Sequence, residues 1–175
     1  TAERAHDDEA LRLARENLLK SSKDLAEHQL ALDSVVNVLR PLTDRIDFDE
    51  KPFVVTLPNL IHLASDVHAV ISPEVTGLDL VAALHPTAAV AGTPRDVATE
   101  VIGRFEPFDR GRFAAPVGWI SATGDCEWAI ALRGGQLADG RITAYAGCGV
   151  VADSVAATEL AETELKFRPV RSALS

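Results

Sequence analysis

Two carboxylates and an ammonium group share one face of the last predicted helix. Glu159 and Glu162 are three residues apart, and Lys166 follows four residues after Glu162, so the three side chains lie on the same side of an α-helix. The preceding segment, Tyr-Ala-Gly-Cys-Gly over 145–149, has small residues that leave backbone N–H groups open to a ligand. Carboxylates suit a divalent cation, whereas amides and an ammonium suit an anion. The pattern indicates a site for a metal ion together with an anionic substrate.

A second acidic pair lies on another predicted helix. Asp24 and Glu27 are three residues apart near the start of a helix over 22–39, where the helix dipole favours carboxylates. A solvated helix with an ordinary Glu–Lys pair is the commoner explanation of the last helix taken alone. If the two helices converge, however, four carboxylates meet around one point, and they repel each other unless a cation lies between them. Two pairs on separate helices therefore favour a metal site.

The elements that must position these groups follow from hydrophobic periodicity and turn residues. Helices are predicted over 7–19, 22–39, 77–84, 94–105 and 155–174. Strands are predicted over 53–57 and 60–71, with a turn at 58–59, and over 117–121, 127–132 and 142–146 as a meander with turns at 123–125 and 139–140. Asp153 and Ser154 are expected to cap the last helix. The fold class is α+β, an antiparallel sheet flanked by helices.

Composition bounds the class of protein. With 175 residues and 47% hydrophobic residues, the chain can form one core, so a single domain over 1–175 is expected. The net charge of −9 and the absence of a basic run argue against nucleic acid and anionic membrane surfaces as partners. Because no apolar run or signal pattern is seen and only Cys126 and Cys148 are present, a reducing, cytoplasmic location is expected, with both thiols free.

Seven short motifs occur in a characteristic order. They are SKDLAEH (22–28), IHL (61–63), LHPTAAVAGTPR (84–95), RGRFAAPVGW (110–119), ALR (131–133), YAGCG (145–149) and ELAETELKFRP (159–169). In this order and spacing the chain resembles the chorismate-utilising enzymes, and most closely the isochorismate synthases. The resemblance implies the chorismate-binding fold of anthranilate synthase component I. Family members are considerably longer, and this chain contains no methionine. We therefore expect it to be a fragment, the C-terminal half of a single chorismate-binding domain.

The resemblance assigns a Mg²⁺ site to the two acidic pairs. Glu27 and Glu162 match the carboxylates that hold the metal ion, and Asp24 and Glu159 match supporting acids that act partly through water. This assignment is chemically reasonable, because Mg²⁺ keeps several waters and takes few protein carboxylates directly.

The resemblance also assigns contacts to chorismate. Arg133 matches the residue that binds the pyruvyl carboxylate, Gly147 a backbone donor to the same group, Lys166 a cation near the metal-bound carboxylate, and His62 a histidine near the ring. Without the family pattern, His62 would be interpreted as a half-buried strand residue and Arg133 as a surface residue. The further substrate positions implied by the resemblance are Ala89, Phe113, Leu132 and Gly149.

The activity implied is isomerisation of chorismate to isochorismate. Water adds at C2 of the ring while the C4 hydroxyl leaves, which needs a general base and a general acid. The family uses a lysine and a glutamate that no motif here matches, so we expect this chain alone to be inactive and to self-associate. Two alternatives stay open: a non-catalytic chorismate- or metal-binding module, and another enzyme of the family, such as salicylate or anthranilate synthase. The residues leave open whether the product feeds menaquinone or a siderophore.

Two positions distinguish the synthases from the lyases of this family. Salicylate and anthranilate synthases carry Thr at the position of Ala89 and typically Tyr at that of Phe113, although Leu132 also occurs in salicylate synthases. In an active enzyme containing this chain, we expect Ala89→Thr with Phe113→Tyr to add polar contacts near the pyruvyl group and to release some pyruvate. Chromatography of the products formed from chorismate measures the change. Salicylate as the main product of the unmodified enzyme would contradict this assignment.

Overall fold

Helices and antiparallel strands alternate along residues 2–4, 7–58 and 60–175, which the computed structural model describes. The helices are α1 (Asp8–Lys20), α2 (Ser22–Leu39), α3 (Gly77–Leu84), α4 (Ala88–Ala91), α5 (Arg95–Phe105) and α6 (Ala156–Ala173), and a 3₁₀ turn (Arg40–Leu42) follows α2. The strands are β1 (Ala2–Glu3), β2 (Thr43–Phe48), β3 (Phe53–Thr56), β4 (Leu60–Ala64), β5 (Val67–Ile71), β6 (Pro116–Ile120), β7 (Cys126–Ile130), β8 (Gly135–Ala138) and β9 (Arg141–Ala144).

The five predicted helices are confirmed to within one residue at either end. Local capping explains this agreement, because side chains close the helix starts. Asp7 accepts a hydrogen bond from Ala10 N at 2.8 Å, and Ser21 accepts one from Asp24 N at 3.2 Å. Such bonds satisfy amides that have no partner inside the helix. The short helix α4 was not predicted.

The predicted strand over 60–71 is in fact two strands in different sheets. β4 lies between β1 and β3 in a three-stranded antiparallel sheet, whereas β5 pairs with β2, a strand that was not predicted. The chain leaves the first sheet at Asp66, whose backbone N–H donates to the carboxylate of Asp49 at 3.0 Å and whose carbonyl accepts from Asp49 N at 3.1 Å. The predicted turn at 58–59 is closed by Leu57 N donating to Leu60 O at 2.8 Å, although Asn59 lies outside the described residues.

The predicted three-stranded meander is wrong. β6 pairs with β7 and β8 pairs with β9, in two separate two-stranded sheets. Arg133 lies between the hairpins at a φ of +56°, in the left-handed region, where a strand cannot continue. The two turns are confirmed, with Gly124 at a φ of +93° and Gly140 at +72°.

The segment before α6 also differs from expectation. β9 ends at Ala144, and residues 145–150 form neither helix nor strand. The N-cap of α6 is Val155, which makes no side-chain cap bond. Ser154 instead accepts a hydrogen bond from Val151 N at 3.0 Å. The expected capping by Asp153 or Ser154 is therefore wrong, because the local turn uses the Ser154 hydroxyl.

Helix α2 is central to the packing. α1 and α2 lie against the sheet that contains β4, and α2 also contacts α3 and α4. Ile61 of β4 is fully buried. The other buried apolar side chains are Leu18, Leu32, Val36, Leu39, Leu60, Ala91 and Ala114. Burial of this set anchors α2 and so fixes where its acidic pair lies.

The hairpins carry exposed apolar side chains. Val117 is 60%, Trp119 53% and Leu137 72% exposed. Cys126 and Cys148 are free thiols, as expected. None of the helices in the described part of the chain combines the length and apolar character needed to cross a bilayer.

These side chains lead to a prediction about association. An apolar cluster on small two-stranded sheets with open edges favours contact with another surface. We expect this chain alone to elute in size-exclusion chromatography with light scattering as concentration-dependent oligomers. Val117→Thr with Trp119→Gln should shift it toward monomer without lowering Tm, because both side chains are exposed. A monomer at every concentration would contradict the prediction.

Candidate active site

The carboxylate of Glu27 on α2 lies directly against Gly149. A Cβ placed at 149 would be 2.7 Å from the carboxyl carbon of Glu27, closer than side-chain carbons pack. Glycine at this position is what allows the carboxylate to approach the backbone before α6. The unpaired segment 145–150 therefore forms one wall of the site around Glu27.

Glu27 on α2 and Glu162 on α6 are close enough to interact electrostatically. Burial raises the pKa of Glu27, and the nearby negative charge of Glu162 raises it further. The charges of Lys23 and Lys166 act in the opposite direction but do not reverse the shift. Two partly buried carboxylates held against their mutual repulsion are a donor pair suited to a cation.

The two supporting acids are turned to other partners. Glu159 forms an ion pair with Lys23 of α2, and Asp24 accepts a hydrogen bond from the Ser21 hydroxyl. Among the residues that the structure describes, no three His, Cys, Asp or Glu side chains are arranged to hold a metal ion. The expectation that four carboxylates meet around one point is therefore wrong, because Lys23 and Ser21 draw two of them away. Glu27 and Glu162 are then the remaining candidate ligands.

Lys166 joins this pair to the glycine-rich segment. Its ammonium lies 2.7 Å from Glu162 Oε1 and donates to the carbonyl oxygen of Gly147 at 2.9 Å. The side chains of Lys166 and Glu162 are only 10% and 14% exposed, so water screens their attraction poorly. A Cβ at Gly147 would meet no atom within 4 Å, so the space beside this residue is open.

His62 and Arg133 interact electrostatically with each other, and both sense the charge of Glu162. Burial, followed by the positive charges of Arg133 and Lys166, lowers the pKa of His62 to about 4. Burial also lowers the pKa of Arg133, and the charge of Glu162 partly offsets this effect. His62 is thus neutral near pH 7. The predicted carboxylate-binding arginine lies close enough to interact electrostatically with Glu162.

The positions expected to distinguish the synthases are Ala89 on α4 and Phe113 before β6, and α4 and Phe113 border the same cavity. Phe113 stacks on Tyr145 with ring centroids 5.5 Å apart, and the Arg110 guanidinium lies 5.8 Å above the same ring. Phe113 also lines a cavity of about 230 Å³. Ala89 is exposed on α4, and Leu132, beside Arg133, is 40% exposed.

Two residues of this region were missed by sequence reasoning. Lys23 bridges α2 to α6, and Tyr145 connects the glycine-rich segment to Phe108 and Phe113. Both lie inside motifs already identified, next to Asp24 and Gly147, and this proximity was the available signal. Cys148 lies in the same glycine-rich segment. Burial raises the pKa of its thiol, which opposes a nucleophilic role.

The arrangement fits a small, hard cation. Mg²⁺ binds proteins through one or two carboxylates and keeps positions for water and substrate oxygens. Glu27 and Glu162 supply that number, and the close approach at Gly149 leaves the Glu27 carboxylate beside open backbone. The neighbouring cations Lys166 and Arg133 are suited to an anionic substrate. Together with the α+β fold, these residues form a candidate site suited to an anionic ligand.

Comparison with known proteins gives the family. The model of the chorismate binding enzymes matches residues 1–175, and this chain belongs to that family. It is 45% identical over 158 residues to the isochorismate synthase DhbC of Bacillus subtilis, which covers 90% of this chain and 40% of that relative. The chain thus spans well under half the length of this curated relative.

Solved structures agree with the assignment. A 2,3-dihydroxybenzoate-specific isochorismate synthase, DhbC from Bacillus anthracis, superposes with a TM-score of 0.93 at 39% identity, covering 98% of this chain and 46% of that one. Anthranilate synthase component I from Streptococcus pneumoniae superposes with a TM-score of 0.83 at 30% identity, covering 95% and 40%. The fold is therefore part of the chorismate-binding fold, as the sequence predicted.

The raised pKa of Glu27 predicts a stabilising substitution. A carboxyl whose pKa is higher in the folded than in the unfolded state destabilises the fold as pH rises through that interval. Glu27→Gln removes this cost, so it should raise the Tm of the metal-free chain at pH 7 by about 2–4 °C, or about 1 kcal/mol.

The effect should disappear below pH 4, where both states hold the proton. Thermal unfolding followed by circular dichroism at the two pH values measures it, with exposed Glu74→Gln as the control. A lower Tm at pH 7 for Glu27→Gln would show that the carboxylate stabilises the metal-free fold.

Proposed function

We propose that this chain carries the metal- and carboxylate-binding part of a Mg²⁺-dependent isochorismate synthase, which isomerises chorismate to isochorismate. The observation that carries the proposal is the position of Glu27 against Gly149, where it interacts electrostatically with Glu162. Lys166 binds Glu162, and Arg133 senses the same charge. The similarity to isochorismate synthases supports the choice of reaction.

Glu27 and Glu162 are the residues that would hold Mg²⁺. Bound there, the ion would supply positive charge that binds the ring carboxylate of chorismate and offsets its negative charge. Lys166, fixed by Glu162 and the Gly147 carbonyl, adds a second positive charge to the same region. A dianionic substrate is attracted to such a region, although the chain as a whole is acidic.

Arg133 and His62 would orient the rest of the substrate. The planar guanidinium can bind the pyruvyl carboxylate through two parallel hydrogen bonds, and its partial burial strengthens them. His62 is neutral near pH 7 because its pKa is about 4. It can therefore form a hydrogen bond near the ring without adding a charge that would compete with the bound carboxylates.

The acid–base steps need further groups. A general base must lose its proton easily, but the ion pair with Glu159 raises the pKa of Lys23, and Lys166 is held by Glu162. These lysines are therefore poor candidates. We propose that the general base and the general acid come from parts of a longer enzyme beyond these 175 residues.

Phe113 favours isomerisation over elimination of pyruvate. Its ring stacks on Tyr145 and offers no hydroxyl to the cavity that it lines. Anthranilate synthase shares the fold, so in this proposal the difference in reaction depends on side chains such as Phe113 and Ala89.

The proposal predicts that Glu162→Gln prevents Mg²⁺ binding. Losing one of two carboxylates leaves an incomplete oxygen set, so Mg²⁺ affinity measured by calorimetry on this chain should fall at least about tenfold. In an active enzyme containing the chain, chorismate turnover should be lost while circular dichroism is unchanged. The matched control is Glu164→Gln on the same helix, whose carboxylate pairs with Arg171 at an exposed position. Normal turnover of Glu162→Gln at limiting Mg²⁺ would refute the ligand assignment.

The proposal that the general base and the general acid lie outside these 175 residues can be tested on the chain by itself. We expect no conversion of chorismate by these 175 residues with saturating Mg²⁺, because the base and the acid are absent from the proposed site. Product chromatography after prolonged incubation measures the activity. Conversion abolished by Glu27→Gln would place the base and the acid within this chain.

A further inference from the structure

Lys23 connects the two acidic helices. It lies in the first turn of α2 and forms an ion pair with Glu159 of α6, 136 residues later in the chain. The side chains of Lys23 and Glu159 are 23% and 8% exposed. The ammonium also interacts electrostatically with Glu27 and Glu162. It therefore lies among the acids of the proposed metal site and is positively charged there.

Glu159 is a carboxylate that a metal ion could otherwise use. It lies three residues before Glu162 on the same helix, so both side chains point to the same side. Lys23 binds Oε1, whereas buried Oε2 has no hydrogen-bond partner of good geometry, with the Ser154 hydroxyl and the Cys148 thiol as its polar neighbours. Buried carboxylate oxygens are normally satisfied. A cation near Glu162 would find a third oxygen ligand here if Lys23 released it.

We propose that Lys23 withholds Glu159 from the metal ion and limits the protein ligands to Glu27 and Glu162, an inference that rests on the proposed function. With two protein carboxylates, coordination positions stay open for the substrate carboxylate and water. The ammonium also repels a cation in the substrate-free protein. The metal ion is then bound firmly only together with the anionic substrate. Lys23 is in this sense a positioning residue, because it acts through Glu159.

The ion pair between Lys23 and Glu159 would also favour Mg²⁺ over Ca²⁺. Mg²⁺ binds through one or two carboxylates and retains water, whereas Ca²⁺ takes about six to eight oxygen ligands in flexible geometry. A third carboxylate would favour Ca²⁺ more than Mg²⁺. By holding Glu159, Lys23 keeps the site poor in protein oxygens and so favours Mg²⁺.

The experiment is calorimetric titration of this chain with MgCl₂ and with CaCl₂, without substrate. Lys23→Met keeps the aliphatic stem and removes the charge. It should bind Mg²⁺ more tightly than the unmodified chain by roughly three- to tenfold, and Ca²⁺ should gain more. Lys20→Met is the matched control, since it removes the same charge at a 76% exposed position on α1 and should leave both affinities unchanged. Lys23→Arg should restore the original affinities.

A second variant separates an effect on metal affinity from an effect on folding stability. Lys23→Met leaves the buried Glu159 unpaired and should lower Tm. Lys23→Met with Glu159→Gln removes both charges and should recover Tm. This double variant should bind Mg²⁺ at least as tightly as the unmodified chain and should lose the added preference for Ca²⁺.

Two results would overturn the proposal. One is a Lys23→Met protein, folded by circular dichroism, that binds neither ion more tightly than the unmodified chain. The other is a double variant that binds Mg²⁺ more weakly than the unmodified chain, which would make Glu159 a ligand already. Glu27→Gln, titrated in parallel, tests the proposed function separately. If Mg²⁺ binding survives that change, the ligand pair is wrong whatever the Lys23 variants show.

Discussion

The repulsion between carboxylates on two helices is the constraint on which the site depends. Glu27 and Glu162 belong to segments far apart in the chain, and burial together with the negative charge of Glu162 raises the pKa of Glu27. The fold tolerates this because Lys166 neutralises Glu162 and because α2 is anchored through buried Leu32 and Val36. Stability gained in the core offsets an unfavourable arrangement at the site, as is common where function needs like charges close together.

The backbone of the glycine-rich segment, residues 145–149, contacts the side chains of Glu27 and Lys166. Gly149 lets the Glu27 carboxylate approach, and the carbonyl of Gly147 holds Lys166. Tyr145, at the start of the segment, packs against Phe113, so one stretch of chain joins the surroundings of Glu27 to the cavity that Phe113 lines. Because residues 145–150 pair with no strand, their amides and carbonyls are available for such contacts.

The fold reflects membership of the family, whereas the reaction depends on individual side chains of the site. Isochorismate synthases and anthranilate synthase share this fold with the chain, so the fold by itself does not select a reaction. In the proposal, the selection lies in single side chains, among them Ala89 and Phe113, which carry no hydroxyl group. Lys23 and Lys166 each engage one acid of α6. The proposed chemistry therefore follows from how charges are paired as well as from which acids are present.

The sequence by itself determined five of the helices and the family, and it named the candidate residues of the site. Helices such as α2 and α3 depend on capping and periodicity within a few residues, so their limits could be predicted. Motif order was sufficient for the family, because each motif keeps its residue types. The tertiary structure decided how strands pair and how charges pair. β2 joins β5 and the hairpins separate at Arg133, because strand partners are chosen over long chain separations. Likewise Lys23 takes Glu159 out of the expected cluster, since an ion pair spanning 136 residues depends on how α2 and α6 meet and leaves no local pattern.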